Sequence, residues 1–172
     1  MTALLKAPQL LDFPHTIVEV LRFADTDRNG HITSSVFAVC CQSGRLALLS
    51  DPVRALEPPR SQFVLASLHL DYLRELHWPG TVDVGTRVER VGKSSVTLVQ
   101  ALFQAGRCAA TARSVAVLMD AGTRRPRPIP PASADVLKAF AVIKNGVPDG
   151  RHPERAPAPL PDGPQHRTLP LR

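Results

Sequence analysis

The sequence predicts an α+β fold: an antiparallel β-sheet wrapped around one long central α-helix. Three observations lead there. The 172 residues suit a single domain with a proper core. One long apolar segment of helical character, Ser34 to Leu49, stands early in the chain. Residues 63–120 then read as strands broken only by short turns. Strands so joined make an antiparallel sheet with one face in need of cover, and that helix is the only long apolar object available to cover it.

The elements follow in order. A first strand is expected over residues 15–24, because Thr16-Ile17-Val18-Glu19-Val20-Leu21-Arg22-Phe23 is rich in β-branched and aromatic residues. It ends in a carboxylate turn, Asp25-Thr26-Asp27-Arg28-Asn29-Gly30-His31-Ile32. The helix comes next, with Val36, Phe37, Val39, Cys40, Leu46, Ala47 and Leu49 as a broad apolar face. A hydroxyl of Thr33 or Ser34 is placed to cap its first turn, and Asp51-Pro52 ends it. Gly44 in its interior costs about 1 kcal/mol relative to alanine, which predicts close packing against a neighbour.

After a proline-containing loop, Phe63–Leu73 alternates loosely, and Trp78-Pro79-Gly80 turns the chain. Thr81–Val91 follows, then a Gly92-Lys93-Ser94 hairpin, Ser95–Gln104, a Gly106-Arg107 turn and Cys108–Asp120. Residues 122–131 form a proline-rich loop, and 132–144 read as a short helix with Ser133 as its cap. The chain thus divides into an N-terminal extension (1–14), a core domain (15–131), that helix, and a Pro-rich tail (145–172) expected to be poorly ordered.

The net charge of +6 suggests nucleic acid, but its distribution argues otherwise. Residues 1–120 hold 12 Lys+Arg against 11 Asp+Glu, whereas residues 121–172 hold 9 against 4 together with 11 of the 17 prolines. A basic tail of that composition is a solvated extension, so no nucleic-acid partner is expected. No run of 18 uncharged apolar residues occurs, and the start has no cleavable hydrophobic leader, so neither membrane span nor signal peptide is expected. Cys40, Cys41 and Cys108 form no disulfide or zinc framework, which points to a reduced, cytoplasmic setting and no bound metal.

The carboxylate turn admits two chemistries. As a calcium loop it offers Asp25, Asp27, Asn29 and Gly30 at positions 1, 3, 5 and 6, but Val36 stands where a bidentate glutamate belongs. No second loop pairs with it. As an enzyme site it is a strand ending in two carboxylates, then a turn, then the start of a helix whose amides and positive dipole end suit an oxyanion. Two aspartates two apart on an extended segment point to one side, where repulsion and partial burial raise the pKa of one. A plainer role, stabilising the turn, is equally open to Asp25, Asp27 and Asn29.

Strand, Asp-x-Asp-x-x-Gly-His turn, helix and four further strands resemble the hot-dog fold. The text resembles the 4-hydroxybenzoyl-CoA thioesterase-like family, over roughly residues 15–131. Arg22–His31 carries this most specifically, with Gly44-Arg45 and Arg90–Thr97 as weaker support. The resemblance implies an acyl-CoA thioesterase. Asp27 would be nucleophile or general base, the backbone amide of Ser34 the oxyanion donor, and His31 either a general acid or a turn residue bonding a backbone carbonyl. Gly92, Lys93, Ser94 and Ser95 match the hairpin that lies near the CoA phosphates, and they are ordinary turn residues too. No cofactor is implied, since CoA belongs to the substrate. Sites in this fold form between subunits, so a homodimer or homotetramer is implied. Thr33 and Ser34 replace the family's paired asparagines, and the helix offers Gln42 and Ser43 where other hot-dog enzymes carry a catalytic glutamate. A non-catalytic acyl-CoA or lipid-binding module therefore stands as the alternative, with calcium binding at Asp25–Val36 behind it.

Overall fold

The structure is a computed structural model and describes residues 8–141. The chain before residue 8, the tail from 145 and residues 142–144 of the expected C-terminal helix lie outside the described residues. The elements run β1 (His15–Val20), α1 (Ser34–Leu49), β2 (Ser61–Tyr72), β3 (Thr81–Val91), β4 (Ser95–Gln104), β5 (Arg107–Asp120) and α2 (Pro131–Ala139). One five-stranded sheet has the order β1-β3-β4-β5-β2, antiparallel throughout. The hot-dog arrangement is present: α1 packs on one face of the sheet against β1, β3 and β4.

Strand alternation decides which residues meet the helix. Val82, Val84 and Val88 of β3 and Val96, Leu98 and Leu102 of β4 are buried. The first half of α1, with Phe37, Cys40 and Cys41, packs on Val82, Val84, Leu102, Ala110 and Ala112. The second half, with Leu48 and Leu49, packs on Val88, Val96, Leu98, Leu118 and Leu137. On the reverse face Phe13 packs with Ala101 and Phe103. Its ring lies where a Cβ on Gly85 would come within 2.5 Å, so glycine is required there.

Gly44 is tightly packed, as expected. A Cβ there would sit 2.8 Å from Gln100 Nε2 and Val84 Cγ1 and 2.9 Å from Thr86 Oγ1. That approach lets Gln100, fully buried in β4, donate to the Cys41 carbonyl at 2.9 Å and to Thr86 Oγ1 at 3.1 Å.

Three expectations are corrected. The first strand ends at Val20, because the Asp25 carboxylate accepts the Arg22 N–H at 2.8 Å and closes a 3-10 turn over Phe23–Asp25. A local side-chain bond of this kind competes with sheet pairing. The C-terminal helix starts at Pro131, where proline's fixed φ suits the first helical position, so Ser133 is a buried residue inside it and not its cap. It stops at Ala139 because the chain then turns to the sheet: the Phe140 carbonyl accepts the Val88 N–H at 2.7 Å, and Ala141 bridges Val88. β1 pairs with β3 only as far as Thr86, so this segment takes over the edge that β1 leaves. Among the described residues no helix is long and apolar enough to cross a membrane.

Candidate active site

The turn between β1 and α1 is pinned on three sides. Thr26 and Ile32 form a bridge, the Asp27 N–H donates to the His31 carbonyl at 2.8 Å, and the Thr33 N–H donates to the Asp25 carbonyl at 2.9 Å. The Ile32 N–H reaches the Leu76 carbonyl at 2.9 Å, which ties the turn to the β2–β3 connection. Gly30 takes a φ of +81°, a conformation that favours glycine.

The two aspartates have separate partners, and neither carboxyl is raised as expected. Asp25 is buried and meets Arg22 Nη2 at 2.6 Å, with Arg22 Nε at 3.2 Å. The Arg22 guanidinium and backbone N–H hold its carboxyl below the usual range. Asp27 is the acceptor of the turn's amides: its Oδ1 takes the N–H of Asn29 at 2.7 Å and of His31 at 3.1 Å. Desolvation is the largest single influence on Asp27 and pushes it up. The amides of Asn29 and His31, the His31 imidazole and the Asn29 side chain outweigh that and leave the carboxyl below its ordinary value. Neither carboxylate is raised by the other, because each has its own partners. Commitment of Asp25 to Arg22 also takes the first ligand from the calcium alternative. Among the described residues no group of three His, Cys, Asp or Glu is placed to hold a metal ion.

Asp27 is exposed on the single chain, and the Asn29 side chain also donates to its carboxylate. The start of α1 follows the turn, tied to it by the Thr33 N–H on the Asp25 carbonyl. Thr33 occupies the cap position, but its hydroxyl makes no capping bond, contrary to expectation. Among the described residues the Ser34 amide likewise has no acceptor, as for any uncapped first-turn amide. Tyr72, at the end of β2, donates its hydroxyl to the Ser34 carbonyl at 3.3 Å and stacks edge-on against Phe37, ring centres 5.1 Å apart.

His31 does not bond a backbone carbonyl through its ring. Its Nε2 lies 3.4 Å from Glu75 Oε2, the same oxygen that His77 Nε2 approaches at 3.8 Å, and the two imidazoles meet edge to face. Gln104 fixes His77 by accepting its N–H at 2.9 Å and donating to its carbonyl at 2.8 Å. Trp78 stands at the surface edge-on to Phe23, ring centres 5.4 Å apart.

The Gly92–Ser95 hairpin is held by the Gly92 N–H on the Ser95 carbonyl at 2.7 Å, the Leu118 N–H on the Ser94 carbonyl and the Ile129 N–H on the Lys93 carbonyl, both at 2.8 Å. Lys93 is exposed. The hairpin sits at the far end of β3 from Thr81, a span of roughly 35 Å for a strand of this length. One chain therefore places Asp27 and His31 in one turn, with Ser34 opening the helix that follows, and leaves Gly92, Lys93, Ser94 and Ser95 at the opposite end of the sheet.

Sequence reasoning missed Tyr72, Glu75, His77 and the pair Arg45–Gln100. Arg45 is buried in α1 with Nη1 on Gln100 Oε1 at 3.2 Å, and it lines a groove of about 340 Å³ between α1 and β2. The signal available for Arg45 was a charged residue on an otherwise apolar helix face. Tyr72 and His77 carried none, because their roles come from partners far away in the chain.

Residues 21–140 match the model of the thioesterase-like superfamily. Solved structures similar to the chain include three thioesterase-fold proteins. One is a protein of Pseudomonas aeruginosa strain PAO1, with 25% identity and a TM-score of 0.70, covering 79% of this chain and 97% of that one. A second is a predicted thioesterase from Bacillus stearothermophilus, with 30% identity, a TM-score of 0.68 and coverage of 74% and 96%. The third is a thioesterase from Thermus thermophilus complexed with coenzyme A and zinc, with 27% identity, a TM-score of 0.65 and coverage of 73% and 98%. No curated protein matches the sequence.

Proposed function

The chain belongs to the thioesterase-like superfamily, and on that premise we propose that it hydrolyses acyl-CoA to the free acid and CoA, with Asp27 as the reacting carboxylate. The observation that carries this reading is the Asp27 turn. Two amides clamp Oδ1, the carboxylate is exposed and held in its charged form, and the uncapped start of α1 follows in the chain. In the reaction the acyl carbon gains an oxygen and loses the thiolate sulfur. Either Oδ2 takes a proton from water as water attacks, or Oδ2 attacks first and water then cleaves the acyl–Asp27 anhydride. In the first route the proton taken by Oδ2 passes to the departing thiolate; in the second the thiolate leaves as the anhydride forms and is protonated by solvent, and the later water splits the anhydride into the free acid and the Asp27 carboxylate. The Ser34 N–H and the dipole of α1 would hold the oxyanion between these steps. His31, tied to Glu75, would position the turn through its backbone N–H on Oδ1.

The reading needs a second copy. β2 is a sheet edge twelve residues long with Leu65 44% exposed, and a long apolar edge is a template for another strand. Antiparallel pairing of two β2 edges about a two-fold axis sets the Tyr72 end of one against the Ser61 end of the other. The Gly92–Ser95 hairpin adjoins the Ser61 end, since Ser95 pairs with Val117 and Val117 with Val64. In such a dimer the hairpin of a second copy comes to Asp27, where its amides and Lys93 suit the phosphates of CoA. Coenzyme A in the Thermus relative supports that class of ligand.

The test is thiol release from a panel of acyl-CoAs by the wild type and by Asp27→Asn. Asparagine still offers Oδ1 to both amides, so the turn stands while the charge is lost. Turnover should fall by about 10²–10⁴. Acyl-CoA binding without turnover in the wild type would instead make the protein a binding module.

A further inference from the structure

Arg45 is a buried cation without a counter-ion. It is 6% exposed, and among the described residues no carboxylate pairs with it. A guanidinium carries five N–H donors, and one is used here, by Nη1 on Gln100 Oε1. Gln100 is itself fixed by its bonds to the Cys41 carbonyl and Thr86 Oγ1, so the fork is held in one orientation. The guanidinium nitrogens do not figure among the buried polar atoms left unbonded, so its remaining donors open onto space. That space is the groove between α1 and β2, where Arg45 stands among Leu46, Leu49, Phe63, Val64 and Leu65.

Building on the thioesterase reading and its dimer, we propose that Arg45 of one copy recognises a carboxylate at the far end of the acyl group held at Asp27 of the other, so that the preferred substrates are CoA thioesters of dicarboxylic acids. An aliphatic wall with one buried, oriented cation fits a short methylene chain ending in an anion. The groove's volume, about 340 Å³, is at the small end for ligand pockets, which suits an acyl group of a few carbons. A planar fork grips a carboxylate through two parallel bonds, and a methyl terminus leaves those donors unpaired. Burial lowers the affinity of Arg45 for its proton, in keeping with a cation held out of water. The phosphates of CoA also carry anionic oxygens, but they belong to a hydrated moiety that has no reason to enter an aliphatic groove.

The experiment uses the full chain and matched pairs: succinyl-, glutaryl- and adipoyl-CoA, each against the unbranched monocarboxylic acyl-CoA of equal carbon number. At the best-fitting length the carboxylated member should be favoured in kcat/KM by about tenfold or more. In Arg45→Met that ratio should fall to one or below, and Arg45→Lys should keep part of it. The ratio is internal to each variant, so a loss of total activity does not imitate the result. A wild-type ratio of one across all lengths, or a ratio unchanged in Arg45→Met, overturns the proposal and leaves the thioesterase reading intact. If no acyl-CoA is hydrolysed, that reading fails, and calorimetry with free glutarate against pentanoate still decides for Arg45: selective dicarboxylate binding supports it, and equal or absent binding overturns it. Should Arg45→Met fail to fold, the wild-type and Arg45→Lys arms carry the decision. Free CoA is titrated as well, and weakened CoA binding in Arg45→Lys with no change in the substrate ratio would assign the cation to phosphate and overturn the proposal.

Discussion

Replacing Gly44 with alanine sets two effects of opposite sign against each other. On an exposed helix the change stabilises by about 1 kcal/mol, because glycine is the poorer helix former. Here the new Cβ would meet Gln100 Nε2 and Val84 Cγ1 at 2.8 Å and Thr86 Oγ1 at 2.9 Å, distances no Cβ tolerates. None of these neighbours withdraws freely: Val84 is in the core, and Gln100 is bonded to Cys41, Thr86 and Arg45. Overpacking of a tight core costs about 1–3 kcal/mol. If Gln100 yields, a buried hydrogen bond is lost for about another 1–3 kcal/mol. Subtracting the helix gain leaves a net loss of about 3 kcal/mol. For a domain of this size that lowers the melting temperature by roughly 10 °C. Thermal unfolding followed by circular dichroism measures it directly. A melting temperature equal to or above wild type would refute the reasoning, since it would mean that α1 does not approach β3 and β4 as closely as described. Gln100→Ala in the same background should restore part of the loss by making room for the methyl.

Asp25→Asn tests the Arg22 clamp through its pH dependence. The folded-state pKa of Asp25 lies below its ordinary 3.8, so its stabilisation is complete above that ordinary value and disappears as pH falls through the depressed one. The mutant should therefore melt below wild type at pH 7, with the gap closing only in acid below about pH 4; a gap of constant size from about pH 7 to about pH 2 would rule the clamp out. Leu65→Lys places a charge on the open β2 edge and should give monomers in sedimentation velocity together with loss of thioesterase activity, whereas an unchanged mass would show that subunits do not join there. Burial pushes the Cys40 thiol up to about 12 and the Cys41 thiol to about 11. Both should resist iodoacetamide at about pH 8 until the protein is denatured, and rapid labelling of the native protein would contradict their burial.

Which features were legible in the sequence follows from the range of the interactions that make them. α1, β3 and β4 were bounded as found, because each is set by its own periodicity and by Pro, Gly or charged residues at its ends. Gly44 was read correctly for the same reason: a glycine amid good helix formers signals a neighbour. The turn of Asp25 and Asp27 was visible as a turn, but the division of labour inside it was not. Which carboxylate takes the amides depends on Arg22 closing a 3-10 turn three residues earlier, and β propensity alone continued the strand through it. Arg45 and Gln100 are 55 residues apart, and no local pattern links an arginine in a helix to a glutamine in a strand. The single chain also separates Asp27 from Gly92–Ser95, so any joint role for them belongs to an assembly and not to the spacing of residues.

The segment Phe140–Ala141 bears on how this protein can be shortened. It bonds β3 at Val88, past the end of the β1 pairing, where an amide would otherwise stand bare along a second open border. A truncation placed after Ala141 keeps that border sealed. A stop codon only a few positions earlier would trade a tidy molecule for one prone to clump, even though every residue of the Asp27 turn remained.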